Sequence, residues 1–382
     1  MLAAGTALLT GTLLTGTLLT GTLLAGTASA GTAPAGQVAA SFKAISVTWV
    51  TPQQGWVLGV APCGPAGRST CTEVISSSNG GATWTADGTV PAHTPPARGA
   101  TTGATEIRFD TPAIGWAFGP DLFRTANGGR SWAPQRIPGT GSRQVLALAA
   151  TATAAYAVTS PCAYQAATCA GGGLSVWRAR TGSGSWVKVP LTLPLSGAAG
   201  LTAFGSAVYA DDATRAGNHL YASANGGATF ASRPVPCDAS QGTVLAQAVA
   251  TSASRVALLC VGSPGIGKAV KTVYRSGDTG KTYASAGTTG AYGIESQLAS
   301  SPSGNLAVAT TSAQGSFIYA NVSGGTAWST SLGLYDEGWN DIVYVTDNEA
   351  WLVYGPASGL VPAAGKVLVT HDGGRHWTIA GL

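Results

Sequence analysis

The chain has 382 residues, of which 45% are hydrophobic and only 9% charged, and its formal net charge is +4. A chain of this length can bury a large core, and its low charge means that Thr, Ser, Ala and Gly form much of the surface. No run of Lys or Arg could follow a phosphate backbone and we regard the cations as unclustered, so nucleic acid is not an expected partner.

The first 30 residues are uncharged, rich in Leu, Ala and Thr, and end in the small triplet Ala28-Ser29-Ala30. This pattern is typical of the apolar region and cleavage site of a secretory signal peptide, although a positively charged start is missing. An uncleaved membrane anchor is the alternative, which the Gly and Thr interruptions disfavour. We therefore expect a secreted protein with a signal peptide at 1–30, a linker at 31–40, a propeller domain at 41–382 and no membrane-spanning segment after cleavage.

A turn motif recurs along the rest of the chain with the pattern S/T-x-D/N-x-G-x-T/S-aromatic. It reads SSNGGATW, TANGGRSW, SANGGATF, SGDTGKTY and THDGGRHW, and the weaker copies ARTGSGSW and NVSGGTAW bring the number to seven. The terminal aromatics are 44 to 54 residues apart, which indicates a repeated supersecondary unit. The amide or acid, glycine and aromatic positions of the five strong copies are Asn79, Gly81, Trp84, Asn127, Gly129, Trp132, Asn225, Gly227, Phe230, Asp278, Gly280, Tyr283, Asp372, Gly374 and Trp377.

Each position of the motif has a physical role. The Asp or Asn accepts hydrogen bonds from backbone N–H groups further along, the Gly supplies a positive φ, and the aromatic is buried between neighbouring sheets. Three short strands precede the motif and one follows it in each unit, as in ISVTWVT, GWVLGVA, TEVISSS and the segment after Trp84. Seven such units without a helix predict an all-β fold, a seven-bladed β-propeller of four-stranded antiparallel blades.

The motif resembles the Asp-box (BNR) repeat of propellers such as sialidases, sortilin-type receptors and photosystem II assembly factors. The resemblance covers residues 40–382 and implies the propeller fold, but it implies no particular function. In that family the box is a structural turn that lies away from the binding site.

Strand order separates the two faces of such a propeller. The first-to-second and third-to-fourth strand connections, which include the motifs, define the box face. The second-to-third and blade-to-blade connections define the opposite face, named here the stapled-loop face, where all the long loops fall. One of these loops, GSPGIGK, imitates a phosphate-binding loop through Gly262, Gly267 and Lys268, but Ala269 replaces the required Ser or Thr, so we interpret it as a hairpin.

The six cysteines support this division into faces. We expect the disulfides Cys63 with Cys71, Cys162 with Cys169, and Cys237 with Cys260, each on the stapled-loop face. No C-x-x-C pair and no cluster of histidines is present, so neither a metal nor a cofactor is expected.

Two functions remain open. One is a non-catalytic binding or assembly module, expected to be a monomer, whose partner is an unknown protein or glycan. The other is a sialidase-like exo-glycosidase, for which Arg98, Arg108 and Arg143 would hold a carboxylate and Tyr335 with Glu337 would act on the substrate. The first is favoured and no catalytic residue is assigned, because arginines from two adjacent units would not surround a substrate. The candidate ligand-binding residues at the channel mouth are Glu106, Arg108, Arg143, Glu295, Tyr335, Asp336, Glu337 and Trp339.

The ends of the repeat region predict how the ring closes. The last motif and the strand HWTIAGL complete the seventh unit, and the first unit begins with its own inner strand. We therefore expect side-chain packing between the first and seventh blades, without a shared blade. The alternative is that residues 37–44 add a strand to a neighbouring blade.

Overall fold

A computed structural model shows a β-propeller. It describes residues 36–64, 67–93, 103–138, 144–162, 172–194, 199–214, 217–262, 265–322, 324–334, 338–355 and 365–382. Within these ranges, 28 strands form seven four-stranded antiparallel sheets, each built from four consecutive strands. The predicted fold, blade number and blade composition are confirmed.

The strands of each blade follow one another from the channel outwards. Blade 1 contains β1 (Lys43–Trp49), β2 (Gly55–Cys63), β3 (Ser69–Ser77) and β4 (Thr85–Val90); blade 2 contains β5 (Glu106–Phe109), β6 (Gly115–Phe118), β7 (Leu122–Thr125) and β8 (Ala133–Pro134). Blade 3 contains β9 (Gln144–Ala150), β10 (Ala154–Ser160), β11 (Leu174–Arg180) and β12 (Trp186–Leu193); blade 4 contains β13 (Ala199–Phe204), β14 (Ala207–Thr214), β15 (Gly217–Ser223) and β16 (Ala231–Arg233).

The remaining three blades repeat this order. Blade 5 contains β17 (Val244–Ala250), β18 (Val256–Val261), β19 (Lys271–Ser276) and β20 (Ala284–Thr288). Blade 6 contains β21 (Glu295–Ser300), β22 (Leu306–Ser312), β23 (Gly315–Asn321) and β24 (Ser329–Leu334). Blade 7 contains β25 (Gly338–Tyr344), β26 (Ala350–Gly355), β27 (Lys366–Thr370) and β28 (Thr378–Ile379). None of the described residues belongs to a helix long and apolar enough to cross a membrane.

The hydrophobic core lies between neighbouring sheets. The second strands, such as β10 and β18, are buried along their whole length because a blade covers each of their faces. Large aromatics fill the wedges between blades: Trp56 of blade 1 stacks on Phe109 of blade 2 with ring centroids 3.8 Å apart, and Trp116 of blade 2 meets Trp186 of blade 3 at 5.1 Å. Burial of such aromatic side chains is the main source of the stability of the propeller.

The ring closes between two complete blades. Trp351 of blade 7 is 2% exposed and packs against Trp49 and Trp84 of blade 1, with centroids 4.9 and 5.8 Å away. The Ala44 N–H also donates a 3.0 Å hydrogen bond to the Gly365 carbonyl beside β27. No blade is shared among the described strands, but a backbone hydrogen bond supplements the predicted side-chain packing.

Contacts with blade 1 begin before the predicted start of the propeller at residue 41. The Gly36 carbonyl accepts a hydrogen bond from the Ala86 N–H, and the side chains of Val38 and Ala39 pack against the core between blades 1 and 7. The described part of the predicted linker therefore lies on the propeller. The predicted signal peptide lies outside the described residues.

The five strong motif copies form the same hydrogen-bonded turn. In the first, the Ser77 hydroxyl accepts from the Gly81 N–H at 2.8 Å and the Asn79 carbonyl oxygen accepts from the Thr83 N–H at 2.9 Å. Gly81 has a φ of +80°, and a Cβ added there would collide with Trp351. The turn therefore requires glycine for both its backbone conformation and the close approach of the next blade.

The turns of the two weak copies accept hydrogen bonds from arginines of the preceding blade. The third copy, at 179–186, and the sixth, at 321–328, lack the Asp or Asn acceptor. Arg124, which precedes the second copy, donates to the Gly182 carbonyl at 3.0 Å. Arg275, which precedes the fifth, donates to the carbonyls of Gly324 and Gly325 and to the Asn321 side chain. An arginine from the preceding blade thus supplies hydrogen bonds to each turn that has lost its own acceptor.

Candidate functional site

The stapled-loop face is covalently reinforced where the structure describes it. Cys63 and Cys71 join the ends of β2 and β3 with their Cα atoms 5.8 Å apart. Cys237, which follows β16, joins Cys260 of β18 in the next blade with Cα atoms 5.3 Å apart. These two predicted disulfides are confirmed, and they indicate an oxidising compartment. The predicted pair of Cys162 with Cys169 lies outside the described residues, since 163–171 is not described.

The glycine-lysine stretch lies on this face as a hairpin. It connects β18 to the antiparallel β19, and Gly265 pairs with Lys268. Lys268 also forms a bridge with Gly293, which precedes blade 6. The interpretation as a loop between strands is confirmed.

Lys271, at the start of β19, has a buried ammonium that sequence reasoning missed. Its Nζ donates to four backbone carbonyls, those of Ala269, Ala291, Tyr292 and Gly293, at 2.9 to 3.1 Å. Burial lowers the pKa of Lys271 to about 8, and the four carbonyl dipoles oppose that shift by stabilising the charged form. The lysine therefore acts as an internal cation that ties the loop between blades 5 and 6 to the hairpin.

A polar cluster joins the inner strands of blades 7, 1 and 2 and is named here the mouth cluster: Ser46, Glu106, Arg108 and Asp341. The Arg108 guanidinium contacts Asp341 at 3.0 Å and Glu106 at 3.1 Å. Asp341 also accepts hydrogen bonds from the Ser46 hydroxyl at 2.6 Å and from the Val47 N–H at 3.1 Å. One cation and two carboxylates from blades 2 and 7 are thus paired beside the channel, and Ser46 of blade 1 joins them through its hydroxyl.

Burial and ion pairing shift the pKa values of the mouth cluster in opposite directions. Burial raises the pKa of Glu106, and the neighbouring Arg108 partly offsets this rise. Burial alone would lower the pKa of Arg108, but Asp341 and Glu106 outweigh it, so that the net shift is upwards. The guanidinium therefore stays charged and is already occupied by two carboxylates.

The inner strands of all seven blades line a central cavity of about 290 Å³. Its wall is formed mainly by small aliphatic side chains. The polar groups that reach it are Thr48, Arg108, Thr202, Gln247, Ser300, Asp341 and Tyr344. The Gln247 side chain accepts from the Leu298 N–H at 2.6 Å, so this polar group links blades 5 and 6. The described channel wall therefore uses several of its polar side chains to join neighbouring blades.

Two of the other predicted ligand residues, Glu295 and Trp339, lie in the described part of the chain. Glu295 is exposed at the start of β21, on the stapled-loop side of blade 6. Trp339 is 6% exposed, and its indole N–H donates to the carbonyls of Thr310 and Phe317. Its ring packs against Tyr354, so it contributes to the core between blades 6 and 7. Arg98, Arg143, Tyr335, Asp336 and Glu337 lie outside the described residues.

A second group of buried charges lies in blade 4, near the end of β14. Asp212 is paired with His219 of β15 at 3.1 Å, and Asp211 points to the opposite side, where it accepts from the Ala248 N–H of blade 5. Burial raises the pKa of Asp211 to about 7, and the adjacent Asp212 adds to the shift. The adjacent Asp-Asp pair on a strand was the available sequence signal. No three potential metal ligands gather among the residues that the structure describes.

Comparison with known proteins yields likenesses of fold. No family model matches the chain, and no curated protein matches it. A solved structure of YCF48 bound to a D1 peptide has a TM-score of 0.47 and 18% identity, covering 72% of this chain and 79% of that one. YCF48 from Cyanidioschyzon merolae has a TM-score of 0.47 and 16% identity, with coverages of 72% and 83%. A GH74 enzyme from Niastella koreensis has a TM-score of 0.38 and 13% identity, with coverages of 88% and 71%.

Proposed function

We propose that this protein is an exported, non-catalytic binding or assembly module that recognises a protein or glycan through the stapled-loop face. The observation that carries the proposal is the covalent reinforcement of that face by Cys63–Cys71 and Cys237–Cys260. A disulfide reduces the conformational entropy that a loop loses on binding, and it also stabilises the fold against unfolding. The box face is instead built from short repeated turns.

The mouth cluster argues against a catalytic channel. A sialidase-like site needs arginines that are free to bind the carboxylate of a substrate. Arg108, the one described member of the predicted trio, is paired with Asp341 and Glu106. A substrate would have to displace two carboxylates, one of which also accepts hydrogen bonds from Ser46 and Val47. The structural use of this guanidinium favours binding through loops.

The candidate ligand-binding residues proposed for this face are Glu106 and Glu295, together with Arg143, Tyr335, Asp336 and Glu337, which lie outside the described residues. The other two predicted residues, Arg108 and Trp339, are engaged in the mouth cluster and in the core between blades 6 and 7. The longer loops predicted for this face favour it as the binding surface, since variable loops on a rigid scaffold are the usual place of binding. Export is proposed from the leader-like residues 1–30 together with the disulfides.

The experiment that tests the non-catalytic part is a turnover assay with aryl-sialosides and a panel of aryl-glycosides. The proposal predicts no release of the aryl group above the buffer rate. Turnover that disappears in both Tyr335→Phe and Glu337→Gln would overturn it in favour of the glycosidase. An Arg255→Gln variant on the box side of blade 5 serves as the control, because it should not alter any activity that arises in the channel.

A further inference from the structure

One arc of the propeller carries a one-sided charge that the low overall net charge conceals. Between Asp121 and Asp211 the chain contains no Asp or Glu but seven basic residues. They are Arg124, Arg130, Arg136, Arg143, Arg178, Arg180 and Lys188. The other 13 basic residues of the chain accompany 16 acidic ones. This segment therefore has a net charge of +7, and the expectation that the cations are unclustered is wrong along the sequence, although Asp87 and Asp110 lie beside Arg130 and Arg124.

Three of these cations line one groove, named here the basic groove. It lies between the outer strands of blade 3 and the third-to-fourth strand turn of blade 4, and its volume is about 480 Å³. Arg178 and Arg180 of β11 and Lys188 of β12 line it together with Ser183 and Ser185. The turns that border it lie on the box face. No ion pair of these three cations occurs among the described residues.

The groove is shaped before any ligand binds. Arg178 forms a hydrogen bond with the Tyr156 hydroxyl, while its Nε is buried and finds no hydrogen-bond partner in the described part of the chain. Gly226 and Gly227 form part of the floor with φ of +67° and +82°. A Cβ at either position would approach Tyr156, and one at Gly226 would also approach Arg178. Glycine therefore keeps the floor open directly beside a half-buried guanidinium.

The chemistry of the lining favours an anionic polysaccharide over a peptide. The described lining offers cations, serine hydroxyls and the small floor, with Val187 and Pro190 as exposed aliphatic groups and no aromatic ring. A protein partner usually inserts aromatic or large apolar anchors, and the aliphatic side chains Val187, Val189 and Pro190 offer them a partial surface here. The preference for a polyanion therefore rests on the three cations and on the edge strand. Addition of a peptide strand to β12 is also disfavoured, because Pro190 has no N–H and Lys188 places a charge on the edge. Sulfate or carboxylate groups on a sugar chain would be bound by the cations, and the sugar hydroxyls by the serines.

We propose that the basic groove is a second binding site, which takes a sulfated or uronic-acid polysaccharide. It is separate from the proposed stapled-loop site, since it lies between the outer strands of blade 3 and a box-face turn of blade 4. Its ligand would be held mainly by charge and would therefore dissociate with rising salt.

Binding of a size-defined heparin oligosaccharide, followed by calorimetry over a range of salt concentrations, tests the proposal. The double variant Arg180→Gln/Lys188→Gln removes two exposed groove cations. The matched control Arg255→Gln/Lys281→Gln removes two exposed cations from blade 5 and changes the net charge equally. We expect the groove variant to bind at least about tenfold more weakly, with a salt slope shallower by about two, and the control to change less than about twofold.

Three results would overturn the proposal. Equal weakening by both double variants would mean that net charge alone attracts the polyanion. Tighter binding of poly-Glu than of heparin, with the same dependence on Arg180 and Lys188, would assign the groove to an acidic protein. Absence of heparin binding by the wild type at about 0.1 M salt, where charges further apart than about 10 Å are screened, would remove the site altogether. Thermal unfolding of all variants checks that each remains folded.

Discussion

Replacement of Asp341 by Asn tests the mouth cluster as a structural clamp. The carboxylate accepts four hydrogen bonds, from Ser46, from Val47 and two from Arg108, at 2.6 to 3.4 Å. Asn retains one acceptor oxygen and the size of the side chain but loses the charge, and its amide faces a guanidinium N–H. Breaking a fully buried ion pair costs about 3–5 kcal/mol, but Arg108 is 27% exposed and keeps Glu106 as a partner. We therefore expect a loss of about 2 kcal/mol in the free energy of unfolding.

Urea unfolding followed by tryptophan fluorescence measures this loss. The matched control is Asp347→Asn in the same blade, where an exposed carboxylate accepts mainly from the Ser303 N–H, and it should cost less than about 1 kcal/mol. A double-mutant cycle of Asp341→Asn with Arg108→Gln should show a coupling above about 1 kcal/mol. If Asp341→Asn stays within about 0.5 kcal/mol of the wild type, or if the two substitutions are simply additive, the clamp does not exist.

Three further changes probe the ring, the buried lysine and a staple. Trp351→Ala should lower the free energy of unfolding in urea by about 3–5 kcal/mol, because it removes the largest buried aromatic side chain between blades 1 and 7. A loss under about 1 kcal/mol would contradict that packing. Between pH 8 and 10.5 the free energy of unfolding of the wild type should rise by up to about 3 kcal/mol, because Lys271 releases its proton at lower pH in the folded state than in the unfolded state. Lys271→Met should abolish this rise, and a variant with the same pH profile as the wild type would refute the lowered pKa of Lys271. Joint replacement of Cys237 and Cys260 by Ser should lower the free energy of unfolding by about 3 kcal/mol, because the disulfide closes a loop with a sequence separation of 23 residues. An unchanged urea midpoint would show that this disulfide is not needed for stability.

The fold could be predicted because its information is local and repeated. Each of the five strong motif copies contains its own hydroxyl, amide or acid, glycine and aromatic, so that one short window specifies a turn and the burial of an aromatic ring. Seven copies at similar spacing then leave few architectures that can use them. The third and sixth copies were harder to recognise because they lack the Asp or Asn acceptor, and Arg124 and Arg275 of the preceding blade instead donate to carbonyls of these turns. Those contacts span 58 and 49 residues, a separation that no local pattern reveals.

The candidate site was less predictable because its contacts are distant in sequence. Arg108 and Asp341 are 233 residues apart, and Asp341 lies inside a strand whose pattern gives no sign of a partner. Sequence reasoning found Glu106 and Arg108 from their place at the start of an inner strand but missed their acidic neighbour. Trp339 was selected for its place near the channel mouth, whereas its ring is buried between blades. The position of a residue along its strand predicts how close it lies to either face of the propeller. Which side of the sheet its side chain occupies depends also on β-bulges, such as the one between Trp339 and Asp341.

Face-resolved cross-linking is the most direct test of binding through the stapled-loop face. A photoreactive residue at Ser69, exposed in the hairpin closed by Cys63 and Cys71, is compared with one at Ala82, exposed in a box-face turn. Each labelled protein is incubated with an envelope extract of the source cells, and the adducts are identified by mass spectrometry. Binding through the stapled-loop face predicts a specific adduct from Ser69 that unlabelled protein competes away, and none of that species from Ala82. The same adduct in equal yield from both positions, or from Ala82 alone, would contradict it.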